Sequence, residues 1–399
     1  MWKWNPDITE LRNNLMVLNL LLFNNVFIPK VIGDICYALL LAISFIIIVT
    51  KPISFNNGYR MALILYCFSG IVSTIYSQYF SNATLLSVCQ FVLWTLIVAL
   101  MNKNEIRDIL EKYLKILTAV ICVAIIYSFL LKTFGKLSYV NNRWVNYFFN
   151  INIKQYAMGM VGDLGYAAFY ENTNIFGFLI LIVMTWNLCN QKIKLSLRSA
   201  VFVILMIEGL VLADSRAAFV CAFLNLCLLV FFNGGKNTKR LICMLIFLAL
   251  AYYIYRGASL NVDVDLAGRE IMWKTMWNVF KDNMLLGIGF ANSTKYVLED
   301  IGSHNSYLNI LVENGLIGMV FFVLMVICVL NLIFKTQTNI RRSKLYFFAT
   351  IVFIMFLPYA FIENALMIFE TRHTLWILVG TFIVEEAKYI YDSHKEFVI

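Results

Sequence analysis

Residues 307–334, YLNILVENGLIGMVFFVLMVICVLNLIF, contain a single charged side chain, Glu313. A run this long and apolar exceeds the roughly 20 residues a helix needs to cross the hydrocarbon layer. Its amides have no partners at that depth except one another, so it reads as a spanning helix. Similar runs are centred in 12–29, 31–50, 60–78, 82–101, 113–134, 174–190, 198–213, 216–232, 241–256, 345–364 and 374–390, about twelve with 307–334. The first is the weakest, because Asn19, Asn24 and Asn25 interrupt it, and a re-entrant path is its alternative. Of the 399 residues 61% are apolar and 14% charged, against roughly 45–50% and 25% in soluble domains. The expected fold is all-α: one integral membrane domain over 1–399, a polytopic bundle of about twelve transmembrane helices.

The net charge of +9 does not point to nucleic acid, because the Lys and Arg lie in short turns between apolar runs. With the N-terminus inside, 20 of the 32 fall on cytoplasmic segments, so both termini are expected in the cytoplasm. Two longer segments, 135–173 and 257–306, then become extracytoplasmic loops, and chemistry is displayed outward. The nine cysteines sit almost entirely within apolar runs and never as CxxC, so they read as small core hydrophobes rather than disulfides or metal ligands. MWKWNPDITELRNN lacks the pattern of a cleaved signal peptide. No phosphate-binding loop is visible, so ATP is not an expected energy source.

In the second outer loop, AGREIMWKTMWNVFKDN (267–283) repeats Met272, Trp273, Met276, Trp277 and Phe280 at helical spacing. This predicts an amphipathic helix along the outer membrane surface, since indole rings favour the headgroup layer. Arg269, one turn before Trp273, would sit at phosphate depth; a plain interfacial anchor is the alternative. LLGIGF (285–290) reads as a turn, and Asp263-Val264-Asp265 is a chance-level metal motif. His304, at the mouth of the helix opened by SHNSYLNILVENGLIG (303–318), is placed for general-base work, or merely to cap with Asn305 and Ser306. Glu313, about two turns further in, calls for a partner at that depth. Arg216, in the tight outer turn Asp214-Ser215-Arg216, is one candidate.

Ser215-Arg216-Ala217, Arg269 with Trp273 and the Gly-Ile-Gly turn, and His304-Asn305 with Glu313, Gly315 and Gly318 together resemble the O-antigen ligase and polymerase superfamily of bacterial envelope glycosyltransferases. Asn172-Thr173-Asn174-Ile175-Phe176-Gly177 is similar to an Asn-containing segment of that superfamily. Residues 1–170 carry no signature of it. The resemblance implies a donor glycan on undecaprenyl diphosphate, attacked at its anomeric carbon by an acceptor hydroxyl of a lipid-linked repeat unit. His304, Arg216 and Arg269 would be catalytic, with Asn305, Glu313, Asn174 and Trp273 binding substrate. The two arginines would neutralise the departing diphosphate without a metal or other cofactor. It also implies the inner membrane, an extracytoplasmic site, and a chain-length regulator as partner beside the bilayer. HNSYLNILVENGLIG looks polymerase-like, so an O-antigen, capsular or exopolysaccharide polymerase is expected. The alternatives are a ligase transferring the finished chain to lipid A core and, from other classes, a lipid-linked oligosaccharide flippase or a membrane scaffold.

Overall fold

The computed structural model describes residues 6–22, 30–50, 57–134, 173–190, 197–235, 269–296, 304–363 and 371–395, with isolated positions 168, 170, 237 and 240. Every regular element among them is helical: α1 (Pro6–Leu22), α2 (Lys30–Thr50), α3 (Gly58–Tyr76), α4 (Asn82–Ala99), α5 (Lys103–Phe134), α6 (Thr173–Asn190), α7 (Leu197–Ala213), α8 (Arg216–Asn233), α9 (Arg269–Asp282), α10 (Ser306–Lys335), α11 (Lys344–Ile362) and α12 (Thr371–Lys395). Eleven of the expected apolar runs are helices, and α9 is the amphipathic one. The run 241–256, the loop 135–167, the segment 257–268, and with them Asp263 and Asp265, lie outside the described residues.

This is a polytopic helical membrane protein. Among the described residues α3, α5, α10 and α11 are long and apolar enough to cross a bilayer, and shorter apolar stretches lie in α2, α4, α6, α7 and α8. Large apolar side chains face outward, as lipid rather than water requires: Phe45, Phe68, Val123, Ile204, Phe223 and Ile327 are all more than half exposed. Polar caps set the helix ends. Asn57 accepts the Arg60 amide at 3.1 Å, Ser81 and Thr84 form a capping box, and Ser343 accepts the Tyr346 amide at 3.3 Å.

The centre of the bundle is α6, α11 and α12. Residues Phe176 to Val183 of α6 are almost wholly buried, and Trp376 of α12 stacks between Phe353 of α11 (5.2 Å between ring centres) and Phe322 of α10 (5.7 Å). Within a bilayer such packing gains little from leaving lipid, so close contact and buried polar pairs hold the helices together. Asn225 of α8 donates to Thr185 of α6 at 2.6 Å, one such pair. α1 starts earlier than the apolar run implied and contains Arg12, which a buried partner, Glu105 at the start of α5, offsets at 3.3 Å.

Charged groups collect at two opposite ends. At one, Arg60 pairs with Glu385 at 2.8 Å and Lys103 with Glu386 at 2.9 Å. At the other, α6 and α8 begin, α11 ends, and α9 lies across the start of α10, which gathers the candidate site.

Candidate active site

The tight turn between α7 and α8 is made by Asp214 at φ 46°, a left-handed conformation that Asp tolerates better than most residues. Ser215 follows as the N-cap of α8, its hydroxyl accepting the Ala218 amide at 3.4 Å. The same hydroxyl donates to Asn174 Oδ1 at 2.7 Å, bringing the start of α6 against the start of α8. Gly177, one turn into α6, permits the approach: a Cβ there would stand 2.9 Å from that of Ala218. Asn174 is therefore a bridge, and its amide donates onward to Glu363 Oε1 at 2.7 Å. Tyr359 of α11 donates to the Asn174 carbonyl at 3.1 Å and fixes its height.

Glu363, the residue after α11, is the hub of the site and was not singled out from the sequence. Its carboxylate is 5% exposed. Arg269, the first residue of α9, reaches Oε1 at 3.4 Å, and His304 Nδ1 lies 3.4 Å from Oε2. Ser306 of α10 donates to the Glu363 carbonyl at 2.9 Å. The last turn of α11 is thus tied to the starts of α6, α9 and α10. His304 itself has φ 50°, so the chain doubles back there before Asn305 caps α10 by accepting the Leu308 amide at 3.1 Å. The ring and the guanidinium stay accessible, at 24% and 21% of their side chains.

Such an arrangement has definite chemical capacity. An imidazole whose Nδ1–H is offered to a carboxylate presents Nε2 as the free acceptor of a proton. Arg269 donates to one carboxylate oxygen and stays partly exposed, and a guanidinium suits an anion. Arg216 opens α8 immediately after Ser215, but its side chain lies outside the described residues. The sequence carries one signal for Glu363: it is an acidic residue closing the apolar run 345–364.

Trp273 meets Phe361 edge-on at 6.2 Å between ring centres. With Trp277, Tyr307, Leu308 and Leu311 these rings wall an apolar groove of about 430 Å³ that opens beside Asn305. The stripe of α9 is only partly turned to the membrane. Met276, Val279 and Phe280 are buried against Ile288, Leu308 and Val312, while Ile271 and Trp277 remain exposed. Packing on α10 claims the middle of the stripe because α10 begins directly beneath it.

Glu313 belongs to a different junction. At Gly315 (φ 64°, ψ −167°) the α10 helix is broken, and residues 284–289 run alongside the break. The Ile288 and Gly289 amides donate to the Val312 and Glu313 carbonyls at 2.9 and 3.0 Å, and the Leu316 amide donates to Met284 at 2.8 Å. The Gly-Ile-Gly turn thus replaces the helical hydrogen bonds that Gly315 removes. Ser73 of α3 accepts the Gly289 amide at 3.0 Å and donates to the Glu313 carbonyl at 2.5 Å. The buried Glu313 carboxylate takes the Ser293 hydroxyl at 2.5 Å and its amide at 3.3 Å. These hydroxyl and amide donors stand where an arginine was a candidate.

Residues 200–323 match the family described as O-Antigen ligase. No curated protein matches the chain. The matched segment takes in Ser215, Arg216, Arg269 and His304, whereas Asn174 and Glu363 lie outside it and join the site only through the fold.

Proposed function

We propose, on the premise that residues 200–323 carry the O-antigen ligase family's fold segment, that this chain is an envelope polysaccharide polymerase working on lipid-linked substrates. One observation carries the mechanism: a single buried carboxylate, Glu363, faces both Arg269 and His304. The acceptor hydroxyl gives its proton to His304 Nε2 as its oxygen bonds to the donor's anomeric carbon. The bond from that carbon to the diphosphate oxygen breaks, and the diphosphate leaves with the electron pair. Arg269, with Arg216 at the head of α8, meets the charge that develops on it. Glu363 holds the imidazole in the tautomer that the base needs and stabilises the imidazolium that forms.

The apolar groove between α9 and Phe361 supports a seat for the prenyl chain, since it opens beside Asn305, the neighbour of His304. In this reading Asn305 and Trp273 contact substrate, whereas Asn174 holds Glu363 and Glu313 holds the junction. The face is extracytoplasmic and the membrane the bacterial inner one, with both termini inside; the phosphoanhydride of the donor supplies the driving force. A chain-length regulator is the proposed partner. A ligase is the second reading, favoured by the description of the matched family.

Reconstitution separates the two. Purified protein given only undecaprenyl-diphosphate-linked repeat units is expected to produce a ladder of lengthening chains, unchanged by EDTA. Transfer only when lipid A core is added would make it a ligase. EDTA-sensitive turnover restored by a divalent ion would bring Asp263 and Asp265 back as metal ligands.

A further inference from the structure

The end of the bundle opposite His304 holds a second concave site that the reaction does not use. α5 has 32 residues, about 48 Å at 1.5 Å per residue, against about 30 Å of hydrocarbon. Its polar first turns therefore stand in the headgroup layer. Along them Lys103, Arg107, Glu111 and Lys115 recur every fourth residue and share one face. That face lines a cavity of about 840 Å³, which Lys344 of α11, Glu386 of α12 and the indole of Trp186 of α6 complete.

Four cations thus meet two carboxylates in one hollow. Glu386 is buried and already engaged, by Lys103 at 2.9 Å and Arg107 at 3.5 Å. Lys115 and Lys344 are exposed at the rim and leave the hollow with surplus positive charge. Orientation in the membrane requires basic residues in the inner turns. It does not require that those of α5 and α11 converge on a single cavity walled in part by Trp186 and Leu345. Cations beside an indole at headgroup depth suit a ligand that is anionic at one point and greasy next to it. We propose that this cavity binds the phosphodiester headgroup of an anionic membrane lipid.

The test uses the purified full chain, with retained lipid measured by native mass spectrometry across a titration. The probes are phosphatidylglycerol, phosphatidylcholine and inorganic phosphate. Phosphatidylglycerol is expected to be held in preference to phosphatidylcholine, and the double variant Lys115→Gln, Lys344→Gln to hold it about twenty-five-fold more weakly, at about fivefold per lysine near a headgroup. The double variant spares the Lys103–Glu386–Arg107 cluster. The single variants, each expected to lose about fivefold, give an independent reading should the double variant be unstable. Lys295→Gln, at the far end, should change nothing. Equal affinity for the two lipids, or undiminished retention by the variants, would overturn the proposal. So would displacement of the lipid by millimolar inorganic phosphate that binds the wild type and not the double variant, since the site would then serve a free anion.

Discussion

Two buried glutamates, Glu363 and Glu313, lie near the start of α10, and they differ in the groups they face. Glu363 faces groups that carry or acquire charge, Arg269 and His304, and those groups are still about one-fifth to one-quarter exposed. Glu313 faces a serine hydroxyl and backbone amides, with Gly287 and Gly315 packed so closely that a Cβ on Gly287 would fall 2.6 Å from the Glu313 backbone. A carboxylate beside a guanidinium and an imidazole that solvent still reaches can answer a change in charge during a reaction. One sealed among neutral donors answers nothing and fixes a broken helix in place.

The largest effect expected is at the chemical side. His304→Ala should lower turnover by about 10²–10⁴ while donor binding persists, the usual worth of a positioned proton acceptor. A ladder of wild-type length and rate from this variant would break the comparison at once. Next, on the structural side, is Gly315→Ala. Its φ of 64° with ψ −167° is open essentially to glycine alone, and an added Cβ would overlap the Leu285 backbone. The conformation by itself should cost about 1–3 kcal/mol, so folded protein in the membrane should drop well below that of Gly235→Ala, a position with nothing within 4 Å. Equal yields would mean that the junction is not what holds the helix break.

A smaller change is expected for Arg269→Lys. Lysine keeps the charge but loses the planar fork, so about a tenfold loss should appear, short of the near-complete loss in Arg269→Ala. Wild-type rates in Arg269→Ala would return that residue to a surface anchor. The smallest effect belongs to Glu313→Gln, whose amide oxygen can still accept from Ser293. Turnover within about twofold of wild type is expected of a group outside the reaction. A loss approaching that of His304→Ala would place both glutamates in one site.

The fold was legible because each spanning run, such as 307–334, declares itself by length and the absence of charge. The break at Gly315 was not. Its cause lies in the carbonyls and amides of 284–289, a pairing across sequence that no periodicity records. The site was half legible in the same way. Arg216, Arg269 and His304 stood out as charged or titratable groups at helix mouths, and Asn174 as a polar residue at another. Glu363 read as the ordinary end of a run, because its role exists only once α11 returns to the starts of α6, α9 and α10. The α9 stripe was read toward the lipid for a related reason: helical spacing gives a face, and the neighbour that covers it is a matter of packing.

The most direct test of Glu363 as the group that positions His304 is a double-mutant cycle in single-turnover rate, with Glu363→Gln, His304→Ala and their combination. Glu363→Gln alone should lose about 10–100-fold, the usual effect of removing an orienting partner. The combined variant should be no slower than His304→Ala, because a positioning group has nothing left to position. If the two losses instead multiply, or if Glu363→Gln turns over at the wild-type rate, the carboxylate does not act through the histidine.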